Sequence, residues 1–349
     1  MNKFLIGKYN ITESTSPFII AELSANHNGD IEIAKETIKA AKESGADAIK
    51  LQTYTADTMT LDVDSEDFII NQGTIWDGRK LHELYQEAYT PWEWHSELFE
   101  YAKKMGLLIF SSPFDFTSVD FLESLNVPLY KVASFEITDL PLISYIAKKK
   151  KPIILSTGIA SKEDIELALK TIHDEGNFEV ALLKCTSSYP APLYEANLQM
   201  VEDFRTKFNV ISGLSDHTLE LIAPIVAVTK GARIIEKHFI LDKKIGGPDA
   251  SFSLEPKDFT AMVNSVRSAE SALGKIDYVP TKKMISARAF SRSIYVSKDV
   301  SKGDTVSDLN VRIVRPGFGL APKHYKTVLG KKFNGNFKTG TRLTFDIIE

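Results

Sequence analysis

Eight short apolar runs, each leading into a segment of helical periodicity, recur between Phe18 and Leu273, and few folds accept that pattern. The runs predict strands over residues 18–22, 48–54, 107–112, 129–134, 152–157, 180–186, 210–215 and 233–238. Helices are predicted over 30–44, 91–105, 118–125, 141–149, 162–174, 197–207, 219–229 and 255–273, the first with Asp30 as its N-cap and Gly45 as its stop. Eight strand–helix repeats in about 260 residues match a (β/α)8 TIM barrel in number and size. An open doubly wound sheet is the alternative, and the missing G-x-G-x-x-G after the first strand argues against its dinucleotide-binding version.

The remaining segments divide the chain. Residues 1–274 are assigned to the barrel, opening with an N-terminal hairpin or flap that begins in a weak alternation from Lys3 to Ile6. Residues 275–290 lack periodicity and are read as a linker, and 291–349 carry short alternating segments broken by turn signals, the pattern of a small β-rich domain. Between the second strand and its helix lie about 35 residues, 55–89, against the usual 2 to 6 for such a connection; a loop of that length over the strand ends is a candidate substrate lid.

Charge and composition exclude several functions. A net charge of −4 offers no electrostatic reason to expect nucleic acid or an anionic membrane as partner. No apolar run approaches the ~20 residues that span a bilayer. The one cysteine, Cys185, precludes an internal disulfide and, with no basic-then-apolar leader, points to a cytoplasmic protein. Cys185 is expected to pack, because a strand thiol with no nearby base has no reason to ionise.

The polar residues at the strand ends carry the chemistry. Strand C-termini of a parallel barrel open onto one face, where side chains read as catalytic. The sequence places Glu22, Lys50, Gln52, Ser111, Ser112, Lys131, Ser134, Glu136, Ser156, Thr157, Ser187, Tyr189, Ser215, Asp216, His217, Lys237 and His238 there. His217 and His238, on adjacent strand ends, could share a metal ion or be two unrelated buried histidines. Either lysine alone could snorkel to the rim or pair with a carboxylate. Two lysines inside apolar runs, beside four strand ends bearing hydroxyls, instead describe a pocket for a small, multiply charged anion carrying phosphate and carboxylate.

Ile-Ala-Glu-Leu-Ser-Ala-Asn-His-Asn-Gly (20–29), Lys-Leu-Gln-Thr-Tyr (50–54), Ser-Ser-Pro-Phe-Asp (111–115), Tyr-Lys-Val-Ala-Ser-Phe-Glu (130–136), Ile-Leu-Ser-Thr-Gly (154–158), Gly-Leu-Ser-Asp-His-Thr (213–218), Glu-Lys-His-Phe (236–239) and Gly-Pro-Asp (247–249) resemble the N-acetylneuraminate synthase family. The last 60 or so residues, with Arg-Pro-Gly at 315–317, resemble its antifreeze-like (SAF) domain. Gly-Thr-Ile-Trp-Asp-Gly-Arg (73–79) looks most like the pseudaminic acid branch, which uses 2,4-diacetamido-2,4,6-trideoxy-L-altrose.

The resemblance implies metal-dependent condensation of phosphoenolpyruvate with the open-chain aldehyde of an N-acetylated sugar, with Mn²⁺, Mg²⁺ or Co²⁺ on His217 and His238. Lys50, Ser112, Lys131, Ser134, Ser156, Ser187, Tyr189 and Ser215 would hold phosphoenolpyruvate, with Ser187 standing where relatives carry asparagine. Gln52, Asn71, Glu136 and Asp249 would contact the sugar. Glu22 would handle a proton or orient water, unless it only pairs with Lys50 or Lys237. The resemblance also implies a domain-swapped homodimer in which Arg315 reaches the substrate's acetamido group in trans. Two other readings are a synthase of the 3-deoxy-octulosonate or heptulosonate type, which should carry a second basic cluster for a sugar phosphate, and a carbohydrate-binding protein without activity. No such cluster is evident beyond Lys50 and Lys131, and the lysines and histidines are all in place.

Overall fold

Strand parity decides what this barrel holds. In a computed structural model describing residues 4–349, eight parallel strands close into one barrel. They are β3 (Phe18–Glu22), β4 (Ala48–Thr53), β5 (Leu108–Pro113), β6 (Tyr130–Val132), β7 (Ile153–Ser156), β8 (Val180–Cys185), β9 (Ile211–Asp216) and β10 (Ile234–His238), with β10 pairing β3 to close the ring. Every predicted strand is present, its ends within two residues of the prediction. The surrounding helices include α1 (Ile31–Glu43), α4 (Trp92–Lys104), α7 (Lys162–Asp174), α8 (Gln199–Phe208) and α10 (Pro256–Leu273). The Asp30 carboxylate accepts from Glu32 N–H and caps α1, and Gly45, just past its end, takes φ +91°, a left-handed turn suited to glycine.

Side chains alternate between the two faces of each strand. Ile20, Ala48, Phe110, Ile154, Leu183, Ile211 and Ile234 therefore fill the barrel's interior, while Ile19, Ile49, Leu155, Leu182 and Ile235 pack in the helix-covered clusters outside it. The predicted N-terminal hairpin forms from β1 (Phe4–Ile6) and β2 (Tyr9–Ile11); its Lys3 lies outside the described residues. Phe4, Ile6 and Ile11 join the interior cluster, so the hairpin closes the floor of the barrel.

The same parity corrects the sequence reading at three strand ends. Ser111 faces outward, with its Oγ 2.6 Å from Thr53 Oγ1, which lies 2.8 Å from His95 Nε2. Asp216 and Lys237 also face away from the interior and pair with each other at 2.7 Å, fully buried. Lys237 is thereby spent on Asp216 and is no partner for Glu22.

The 55–89 excursion is more ordered than a single long loop. It contains α2 (Ala56–Met59), a 3-10 turn (Glu66–Phe68) and α3 (Leu81–Ala88), with a bridge between Ile69 and Lys80. The chain divides into two compact units, Met1–Gly274 and Lys275–Glu349. In the second unit, the stretch read as a plain linker holds a short helix, α11 (Lys282–Ala287), because Thr281 caps it by accepting from Met284 N–H. Its sheet is small. β11 (Ser293–Val296) and β12 (Val311–Val314) pair antiparallel, and isolated bridges such as Val300–Phe337 and Thr305–Lys332 complete a core around Ile294, Val311, Phe333 and Leu343. Arg315 follows β12 and is exposed.

Gly213 sits on β9 where the interior narrows. A Cβ there would overlap Ile234 O and lie 2.6 Å from Leu183 Cδ2 and 2.9 Å from Ile234 Cβ. Gly213→Ala is expected to cost about 2–3 kcal/mol of stability in urea unfolding, because a strand backbone cannot step aside. A loss below about 0.5 kcal/mol would show that the β9–β10 seam yields.

Candidate active site

Above the apolar layer, the next inward positions are Glu22, Lys50, Ser112, Lys131, Ser156, Cys185, Ser215 and Glu236, each buried and all but Cys185 polar. A cavity of about 920 Å³ lies at the same strand C-termini, lined by other residues that include Gln52, Ser134, Glu136 and His238. Lys50 Nζ lies 2.7 Å from Glu22 Oε2 and 3.5 Å from Glu236 Oε1, and donates to Ser112 Oγ at 3.4 Å. Gln52 Nε2 donates to Glu22 Oε1 at 3.1 Å, and Ser215 Oγ donates to Glu236 Oε1 at 3.2 Å.

Competition within this cluster sets its charges. Burial draws the Lys50 ammonium down, but Glu22 and Glu236 together outweigh it and hold its pKa above the ordinary lysine value. Burial pushes Glu22 up to about 7 against the pull of Lys50, with the Glu236 charge adding to the rise. Glu236 is pulled below the usual carboxylate range although burial opposes this, because Lys50, Lys131 and His217 all favour its anion.

Lys131 is different. Its ammonium donates to Val132 O at 2.9 Å and Ser156 Oγ at 2.7 Å, and among the described residues no carboxylate comes within ion-pair distance. Burial therefore lowers its pKa, with only partial relief from Glu236. Beside this group of residues, Ser187 Oγ donates to Ser134 Oγ at 2.9 Å, and Gly158 backs the pair so closely that a Cβ would overlap Ser187 Oγ and lie 2.6 Å from Ser134 Oγ. An under-neutralised ammonium and a cluster of hydroxyls backed by a glycine can take a small anion.

The two imidazoles face each other, ring centroids 5.3 Å apart. His217 Nδ1 lies 3.0 Å from Thr186 O; a carbonyl only accepts, so this nitrogen carries a hydrogen and Nε2 is the one that could bind a cation when deprotonated. His238 is buried, its Nδ1 lacks a hydrogen-bond partner, and burial pushes its pKa well below the usual range, so the ring is neutral. Among the described residues no third His, Cys, Asp or Glu joins them in a metal-ligand cluster. The pair fits a divalent cation completed by water or substrate oxygens, and not a fully protein-ligated one.

Cys185 corrects a prediction. It faces inward on β8 with its Sγ 3.7 Å from His217 Nδ1, so an imidazole stands beside it, with its N–H side toward the sulfur. Burial raises the thiol's pKa, but His217 and Lys131 outweigh burial and leave it lowered.

Gln52, Ser134, Glu136, Ser187, Tyr189, His238 and Asp249 all line the cavity. Asn71 does not: it is exposed and accepts from Gln72 Nε2, and Gln72 lines the cavity instead. Arg315 belongs to the other compact unit. Sequence reasoning missed Glu236 as a site residue, although alternation from His238 places it inward. It also missed the aromatic wall of Trp76 and Phe252.

A closed parallel barrel with buried charged residues and a cavity together at its strand C-termini has the architecture of a barrel enzyme. The chain belongs to the NeuB family, whose model matches residues 37–278, and a SAF domain matches residues 291–349. It is 51% identical to pseudaminic acid synthase of Campylobacter jejuni over 97% of this chain and 98% of that one. Against pseudaminic acid synthase of Helicobacter pylori it is 48% identical over 95% and 98%. The crystal structure of N-acetylneuraminic acid synthetase from Leptospira borgpetersenii superposes with a TM-score of 0.73 at 29% identity, covering 82% of this chain and 94% of that one.

Glu136 gives a test of the site's electrostatics. Its Oε2 is buried without a partner, and burial pushes its pKa from 4.5 up to about 7, Lys131 opposing. The folded state thus holds a proton that the unfolded chain releases, so this contribution to stability is complete below pH 4.5 and is lost as pH rises through about 7. Glu136→Gln is expected to gain about 1–2 kcal/mol over the parent between pH 5 and pH 8 in urea unfolding. A stability difference that does not change with pH would contradict the shift.

Proposed function

We propose that this chain condenses phosphoenolpyruvate with the open-chain aldehyde of 2,4-diacetamido-2,4,6-trideoxy-L-altrose, giving pseudaminic acid and inorganic phosphate. The observation that carries the reading is Lys131, a buried ammonium at a strand end of the barrel with no carboxylate among the described residues within ion-pair distance, on the face where a cavity is lined by the Ser134, Ser187 and Tyr189 hydroxyls. The near half-identity to two pseudaminic acid synthases supports the choice of sugar.

Lys131 and Lys50 hold the phosphate and carboxylate of phosphoenolpyruvate, and the hydroxyls of Ser112, Ser134, Ser156, Ser187, Ser215 and Tyr189 fix its orientation. The enol carbon C3 is thereby presented to the sugar's C1, forming the new C–C bond. A divalent cation on His217 and His238 (Mn²⁺, Mg²⁺ or Co²⁺) would supply Lewis-acid stabilisation of the developing C1 oxyanion. Water adds to the cation-like C2, and phosphate leaves by C–O cleavage. Glu22, hydrogen-bonded by Gln52 and paired with Lys50, takes the proton of that water or orients it. Gln52, Glu136 and Asp249 bind the sugar's amide and hydroxyl groups, with Gln72 in the place expected of Asn71.

The proposal includes a cytoplasmic homodimer with exchanged C-terminal units, in which Arg315 completes the partner's cavity. No described helix is long and apolar enough to cross a membrane.

Phosphate release from phosphoenolpyruvate, measured with the altrose-type sugar, N-acetylmannosamine and the legionaminic acid precursor, with Mn²⁺ and after EDTA, tests the reading. Release with the first sugar alone, abolished by EDTA and by His217→Ala or His238→Ala, is expected. Release with N-acetylmannosamine or the legionaminic precursor instead would overturn the substrate, and undiminished release in EDTA would overturn the metal.

A further inference from the structure

The buried charged cluster does not explain the apolar part of the cavity. Met59, Ile70, Ile75, Trp76 and Leu84, all from the 55–89 excursion, line it with apolar surface. Trp76 is tied to the barrel unit at both its polar and its apolar edges. Its Nε1 donates to Pro248 O at 3.1 Å, and its ring lies 5.7 Å from that of Tyr189 and 6.3 Å from that of Phe252, centroid to centroid. Phe252 in turn lies 4.9 Å from the His238 ring. An apolar wall therefore runs from the imidazole pair out to the excursion. The turn bearing Trp76 is built to hold it, since the Asp77 carboxylate accepts from Gly73 N–H and Thr74 N–H.

A hydroxyl pointed at such a wall would lose water and gain no partner. The wall suits a sugar whose far end is a methyl group. We infer that Trp76 is the specificity-determining residue that selects methyl over hydroxymethyl at C6, the end of the open chain farthest from the reacting C1. This rests on the proposed entry of the sugar with C1 at the imidazoles. Gln52 and Asp249 at the inner end serve groups common to many amino sugars, whereas the excursion reads the deoxy end.

Apolar pockets separate substrates that differ by one methylene or one added hydroxyl by about 10- to 200-fold. The test compares 2,4-diacetamido-2,4,6-trideoxy-L-altrose with its 6-hydroxy counterpart, 2,4-diacetamido-2,4-dideoxy-L-altrose, on the full chain and on Trp76→Ala and Trp76→Phe. The parent is expected to prefer the 6-deoxy sugar by about 10- to 100-fold in kcat/KM. Trp76→Ala should lose at least about 10-fold of that preference, mainly through KM for the deoxy sugar, while Trp76→Phe keeps most of it. The KM for phosphoenolpyruvate should stay within about 2-fold in all three, because Lys50 and Lys131 are untouched. Equal losses on both sugars, or an unchanged preference in Trp76→Ala, would overturn the assignment. Calorimetric binding of the two sugars reads the same preference without turnover. Tighter binding of the deoxy sugar, lost in Trp76→Ala, with no phosphate released would overturn the activity and support the role of Trp76; equal binding of the two sugars by the parent would overturn that role alone.

Discussion

Four charges buried in the barrel's upper layer govern the rest of the site. Lys50 is neutralised by Glu22 and leans toward Glu236, whereas Lys131 has only a carbonyl and a hydroxyl. Removing an ion from water costs several kcal/mol unless a counter-charge replaces the lost hydration. The first lysine is compensated within the protein; the second is compensated mainly at a distance, by Glu236. A dianionic ligand would complete what the fold leaves partial. The arrangement is also selective, since a neutral ligand of the same size would leave Lys131 as costly as before.

The barrel can hold this layer because the layer beneath it is fully apolar and closed below by the N-terminal hairpin. Close packing also decides where no side chain can stand. Gly213 admits Leu183 and the β10 backbone, and Gly158 admits the Ser134 and Ser187 hydroxyls. The outward face of the same strands carries a second set of polar groups, Lys237 with Asp216 and Ser111 with Thr53 and His95, satisfied among themselves in the layer outside the barrel. Polar residues on neighbouring positions of one strand thus serve different purposes according to the face they occupy.

Much of this was legible in the sequence. The short strands announced themselves as apolar runs because both of their faces are covered, and their polar ends marked the open face. Direction was harder to read. Ser111, Asp216 and Lys237 stand one residue from true site positions, and only the observed register shows them facing outward. Glu236 was passed over because Lys237 and the more conspicuous His238 follow it at the end of the strand. The imidazole beside Cys185 went unread because His217 comes from the next strand, 32 residues on. In the 55–89 excursion, composition gave no hint that Asp77 would fold the turn that turns Trp76 inward, or that Gln72 and not Asn71 would reach the cavity.

The dependence of anion binding on the uncompensated ammonium can be measured without any sugar, by calorimetric titration of phosphoenolpyruvate into the full chain and into Lys131→Met. Binding is expected to weaken at least about 100-fold, as loss of a buried charge partner commonly does, while stability in urea holds or rises because a desolvated cation has been removed. Unchanged affinity for phosphoenolpyruvate together with a marked loss of stability would mean that Lys131 is part of the barrel's own scaffold and that the anion binds elsewhere.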